Sequence, residues 1–151
     1  MNNIHKGGCL CGKSRFETYA KPVANIICHC RYCQLRTGSP FGNKLYIDKK
    51  DFKFITGNLK TYKFITESGR EWKNYFCSNC ATIIYCILEV RKDNIGVPGG
   101  LFDPPTYKYK ISKEVFTRSR ANFIQNNFCE NSFETSSSYK PLKDDEDRLK
   151  G

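Results

Sequence analysis

Apolar and polar positions alternate in short runs along most of this chain, and glycine, proline or serine interrupts each run before a helical period is established. Alternation with a period of two marks half-buried strands. Residues 13–19, 23–27, 41–47, 52–56, 59–65 and 71–76 read this way. A turn at Gly57-Asn58 joins 52–56 to 59–65, and Glu67-Ser-Gly69 makes another turn. Thr82 to Val90 is continuously apolar and rich in β-branched residues, which predicts a central strand buried on both faces. Tyr107-Lys-Tyr-Lys-Ile111 alternates strictly and predicts an edge strand with tyrosines inward and lysines outward. Helical signal is confined to a turn at Gln34-Leu-Arg36 and a short helix over Arg120 to Asn127. The predicted fold class is therefore mainly β. One domain is expected over residues 1–133, followed by a poorly ordered tail over 134–151, where serines and an acidic run replace apolar residues.

Length and composition sharpen this. A chain of 151 residues with 39% hydrophobic content builds a modest core, and nine cysteines point to metal sites that would stabilise it. The first residues lack the apolar core of a signal peptide, and the longest apolar run, Ile83 to Leu88, is far too short to span a membrane. A soluble, reducing, cytoplasmic setting with no membrane partner is expected. There, clustered cysteines mean metal or redox chemistry more often than disulfides. The formal net charge of +10 suits nucleic acid, anionic surfaces or small acidic substrates, and equally a solvated lysine-rich surface.

The cysteines carry the candidate chemistry. Cys28-His-Cys-Arg-Tyr-Cys33 packs three thiols into six residues. In extended backbone, residues two apart share a side, so Cys28 and Cys30 face one ion while His29 faces away. The step from Cys30 to Cys33 is the Cys-x-x-Cys spacing of a metal knuckle. Soft thiolates select zinc over calcium, magnesium or manganese. Cys9-Leu-Cys11, flanked by glycines, and Cys77-Ser-Asn-Cys80 each supply half of a tetrahedral site. Joined, these two make a closed zinc and leave Cys28, Cys30 and Cys33 as an open one. Spacing alone also permits the pairing of 30/33 with 77/80. Cys86 is a lesser candidate as a fourth ligand, and Cys129 reads as an ordinary semi-buried residue.

Gly8-Cys-Leu-Cys-Gly12, Cys28 to Cys33, Thr37-Gly-Ser-Pro-Phe41, Phe76-Cys-Ser-Asn-Cys80 and Phe102-Asp-Pro104 together resemble the glutathione-dependent formaldehyde-activating enzyme family, which includes centromere protein V. The resemblance implies an Mss-four-like fold of small antiparallel sheets packed around zinc knuckles. It implies two zinc ions per chain, a structural one on Cys9, Cys11, Cys77 and Cys80 and a functional one on Cys28, Cys30 and Cys33. The activity it implies is addition of glutathione to formaldehyde to give S-(hydroxymethyl)glutathione, classed as a carbon–sulfur lyase reaction. Ala81 stands where similar proteins have glycine.

Three thiolates oppose a fourth, so cations near the open site are expected, with Arg31, Arg36 and Lys44 as candidates that also pair with substrate carboxylates. His29 is a candidate proton shuttle, with packing the stronger reading of its role. The alternative function is a non-catalytic zinc module holding nucleic acid or another acidic partner on the basic surface. The sequence assigns no oligomeric state.

Overall fold

The computed structural model of the protein describes residues 4–105 and 108–142. Among these, ten strands and one α-helix occur in the order β1 (His5–Gly8), β2 (Arg15–Thr18), β3 (Ala24–Cys28), α1 (Arg31–Thr37), β4 (Gly42–Asp48), β5 (Phe52–Thr56), β6 (Leu59–Ile65), β7 (Glu71–Cys77), β8 (Ile83–Leu88), β9 (Asn94–Pro98) and β10 (Lys113–Val115). A three-stranded sheet has the order β1-β2-β5, and a seven-stranded sheet the order β10-β3-β4-β9-β8-β7-β6. All ladders are antiparallel except β10 with β3.

Alternation along β4 explains how one strand serves two cores. Leu45 and Ile47 pack with Phe16, Ile84, Val97 and Phe102 between the sheets. Tyr46 turns the other way, into a cluster holding Cys28, Cys30, Cys33, Trp72 and Cys86. Lys44, two residues from Tyr46, shares that side. On β8 the register shifts opposite Tyr75 and Phe76, so that Ile84 and Tyr85 both pack into the first core before Cys86 enters the second. The strand expected to be central is thus β8, but the fourth place of seven belongs to β9.

Several expectations are corrected. Gly57-Asn58 joins β5 to β6, and because these lie in different sheets the chain crosses between sheets here. Gly57 has φ of 115°, and a Cβ on it would lie 2.5 Å from the Ser14 hydroxyl, so neither conformation nor space admits a side chain. Tyr107 lies outside the described residues, and Lys108 to Ile111 form no strand. Instead the Tyr109 carbonyl accepts a hydrogen bond from the Asn25 amide at 2.8 Å, and β10 begins at Lys113. The lysine-bearing edge is β6, with Lys60 and Lys63 exposed.

No helix forms over Arg120 to Asn127, because the segment wraps a buried carboxylate. Glu114, 0% exposed, accepts from Arg120 at 3.0 Å, from the Phe128 amide at 2.9 Å and pairs with His29 at 2.7 Å. Residues 134–142 leave the end of β10, where Phe116 N–H bonds the Thr135 carbonyl, and reach Glu67, as described below. Residues 143–151 of the expected tail lie outside the described residues. No helix among the described residues is long and apolar enough to cross a membrane.

Removing the Glu114 carboxylate strands the partly buried Arg120 guanidinium and the His29 ring. Glu114→Ala is therefore expected to lower stability by about 3 kcal/mol, read from the urea midpoint at unchanged slope.

Candidate metal centres and the cavity beside them

Two groups of sulfurs converge, and they divide the cysteines as 9/11/77/80 and 28/30/33. Within each group all ligand atoms lie within 4.8 Å of one another. A tetrahedral zinc with bonds of about 2.3 Å needs sulfurs about 3.8 Å apart, so both donor sets fit such an ion. Cys9 and Cys11 stand 3.4 Å apart, and Cys11 and Cys77 3.8 Å apart. The pairing of 30/33 with 77/80 does not occur.

The first group joins two turns. Gly12 N–H donates to the Cys9 carbonyl at 3.0 Å and Ser14 N–H to the Cys9 sulfur at 3.2 Å. In the second turn, Ala81 N–H donates to the Cys77 carbonyl and Cys77 N–H to the Thr82 carbonyl, each at 2.9 Å. The Thr82 hydroxyl, aided by its backbone, holds the Cys80 thiol down to about 5. Ala81 adopts φ of 59°, the left-handed conformation that glycine takes without cost.

The second group is fully enclosed. Cys28 ends β3, and Cys30 is the N-cap of α1, its sulfur accepting from Cys33 N–H at 3.4 Å. This cap starts the helix at Arg31, earlier than the expected turn at Gln34, and places Cys33 in its first turn. Gly38, with φ of 69°, ends it. A Cβ at Gly42 would lie 3.3 Å from the Cys33 sulfur and 3.0 Å from the Arg36 guanidinium, so glycine there lets β4 approach the cluster. Hydrogen bonding from Cys28 and Cys30 holds Cys33 well below the usual thiol range, with Lys44 and Arg36 adding to the effect. The same crowding by Cys28 and Cys33 pushes Cys30 well above it.

Of the three expected cations, two arrive. Lys44, 2% exposed, places its ammonium 3.4 Å from the Cys33 sulfur and 3.9 Å from the centroid of the Trp72 ring. Arg36 lies over the same ring at 5.4 Å. Arg31 instead donates to the Gln34 side chain at 2.9 Å and lies outside the cavity wall. His29 is 0% exposed, bonded to Glu114, flanked by Phe41 and Phe128, and not part of that wall. Cys86 stays outside both groups, with its thiol directed to the Gly96 carbonyl at 3.5 Å.

Beside the second group lies a cavity of about 70 Å³, whose wall includes Cys28, Cys30, Lys44, Trp72, Glu67 and Tyr139. Trp72, Glu67 and Tyr139 were missed in the sequence. Trp72, the chain's single tryptophan, was the one with a signal, whereas Glu67 read as an ordinary turn residue and Tyr139 as tail.

A family model described as glutathione-dependent formaldehyde-activating enzyme matches residues 4–119. The fold is similar to that in a crystal structure of a Rhodobacter sphaeroides protein, at 22% identity and a TM-score of 0.54, over 66% of this chain and 88% of that one.

Metal analysis of protein purified without added metal is expected to return two ions per chain. Cys77→Ser should abolish the cooperative thermal transition, while Cys33→Ser keeps it and loses one ion. Ala81→Gly relieves the left-handed alanine and is expected to raise stability by about 0.5–1 kcal/mol in urea titrations.

Proposed function

The chain belongs to the glutathione-dependent formaldehyde-activating enzyme family, and we propose that it makes and breaks the carbon–sulfur bond between a glutathione-type thiol and formaldehyde as a zinc-dependent lyase. The observation that carries this reading is the set of three buried thiols, grouped among the described residues without a fourth ligand, two of which open onto a cavity. In this reading Cys9, Cys11, Cys77 and Cys80 hold a structural zinc, and Cys28, Cys30 and Cys33 a functional one. A zinc bound there would stabilise a substrate sulfur as thiolate.

The remaining work falls to the chain's own side chains. In the forward direction the thiol sulfur bonds to the aldehyde carbon, and the thiol proton ends on the carbonyl oxygen as a hydroxyl. The reverse breaks the same two bonds. Lys44 offsets the negative charge of the sulfurs, and the π face of Trp72 keeps its ammonium in place without a carboxylate that would cancel it. Arg36 adds a second positive charge from the helix. Ile26, Leu88, Val115 and Phe116 complete the wall and exclude bulk water, which strengthens these interactions. His29 holds the Cys28–Cys30 loop through Glu114 and so orients the ligands. In this reading the protein works in a soluble, reducing compartment, the cytoplasm, where free thiols persist.

The test is turnover that requires both a thiol and formaldehyde, followed by the loss of free thiol. Cys30→Ser is expected to abolish it. Lys44→Met, which keeps the apolar stem and removes the charge, should lower kcat/KM by about 10²-fold. Turnover that survives Cys30→Ser would refute the assignment.

A further inference from the structure

Residues 134–142 lie beyond the family match and cross the outer side of the cavity. The base of this segment is fixed to β10 by main-chain bonds. Phe133 N–H donates to the Glu114 carbonyl at 2.9 Å, and Phe116 N–H to the Thr135 carbonyl at 3.2 Å. Its tip is fixed at a second point, the turn before β7. The Tyr139 hydroxyl donates to the buried Glu67 carboxylate, and Leu142 N–H donates to the Glu67 carbonyl at 3.0 Å. That turn is itself stiff, with the Thr66 and Ser68 hydroxyls 2.8 Å apart and Gly69 N–H bonded to the Thr66 carbonyl at 3.0 Å. Leu142 packs against Gly69, where a Cβ would lie 2.7 Å from the leucine methyl.

Between the two anchors, Ser136, Ser137 and Ser138 line the cavity with small side chains. They are held only loosely from the flanks. Ser137 receives a bond from Lys113 at 3.5 Å and Ser138 one from Arg91 at 3.4 Å. The span is thus firm at both ends and weak in the middle, and at its far end one side-chain bond, Tyr139 to Glu67, works beside the Leu142 main-chain bond.

The volume beneath it decides what this does. A cavity of about 70 Å³ is less than half of the roughly 150 Å³ that holds a benzene ring. It is several-fold below the roughly 300 Å³ at which pockets for larger organic ligands begin. Formaldehyde, its hydrate or a one- or two-carbon thiol fits; a tripeptide thiol does not.

We propose that residues 134–142 form a strap that sets the size of thiol reaching Cys28 and Cys30, with Tyr139 on Glu67 as its latch. With the latch closed, small thiols and the aldehyde enter past the serines. A tripeptide thiol reaches the sulfurs only when Tyr139 leaves Glu67 and the tip swings away from the turn. The strap makes Tyr139 a specificity-determining residue of the reaction proposed above, and the substrate preference rests on that reading. The physical gating does not.

Modification of Cys28 and Cys30 in the purified, metal-bearing protein separates the two. Iodoacetamide serves as the small probe and glutathione disulfide as the bulky one, with sites assigned by peptide mass. Tyr139→Ala is expected to speed the bulky probe at least tenfold and the small probe less than twofold. Tyr139→Phe, which keeps the ring and removes the latch bond, gives the same ratio at lower amplitude and serves if the alanine variant does not fold. Fluorescence of Trp72, which lines the cavity, reports whether each variant keeps its packing. Equal acceleration of both probes, or of neither, in the folded variants overturns the strap. Because the rates need no turnover, absence of thiol–aldehyde activity would refute the proposed function while the probe ratio still decides the gate. Where activity is present, kcat/KM for glutathione relative to 2-mercaptoethanol should rise in Tyr139→Phe, and an unchanged ratio counts against the latch.

Discussion

Three sulfurs within 4.8 Å of one another inside a protein repel strongly once they ionise, and much of the chain is arranged to make that closeness tolerable. A divalent ion would supply most of the compensation, and the protein supplies the rest by placing Lys44 against Cys33. An ammonium buried among aromatic and apolar groups is itself costly, because burial removes its hydration. The sulfur on one side and the Trp72 π face on the other make the position favourable. Trp72 in turn stacks on Phe64, and Phe64 on Tyr32 of α1, so the cation is braced by aromatic contacts that reach back to the ligand helix. Gly42 permits this arrangement by letting β4 come close enough for Lys44 to reach its partner.

The other sulfur group solves a different problem. Cys9 and Cys11 follow β1 of the small sheet, whereas Cys77 ends β7 and Cys80 precedes β8 of the large one. The four sulfurs therefore converge from the two sheets at one end of the inter-sheet core, where Cys9 and Cys77 are themselves buried. An ion held there would tie the sheets, and a core of this size would gain from such a closure, since it would span most of the described strands in sequence. The second group lies away from that junction, beside a cavity, so joining the layers would not depend on its three donors.

How much of this was legible depended on the range of the signal. The local strand signal placed β5 and β6 without error and most other strands within two residues, because alternation and β-branched runs are written in each segment's own side chains. The cysteine spacings exposed the knuckles, and only the family resemblance, not spacing, chose between pairings. Lys44 was legible as a nearby cation, but Arg31 was not distinguishable from it, since the two differ by which way the backbone aims them. Arg120 to Asn127 reads as helix locally and loses to Glu114, a partner whose burial no local window reveals. The contacts of residues 134–142 are hidden from a local window for the same reason. Serine and tyrosine there look solvated until the turn at Glu67 is brought beneath them by the sheet.

Glu114 links these two segments to the site itself. Its carboxylate holds His29, which sits between Cys28 and Cys30, while its main chain bonds Asn131 and Phe133 at the root of the terminal segment. His29 N–H also donates to the Val115 carbonyl at 3.1 Å, so the ligand loop and the segment root are attached to the same three-residue strand. The parallel pairing of β10 with β3 makes this possible, because it brings Val115 level with Cys28 at the point where the ligand loop begins. A displacement at the root of the segment would strain the loop through that strand, whereas a displacement at its tip bears on Glu67 and the cavity wall and not on that strand. The fold thereby allows one end of the terminal segment to move while the sulfur geometry stays fixed, and the weak serine stretch lies between those two ends.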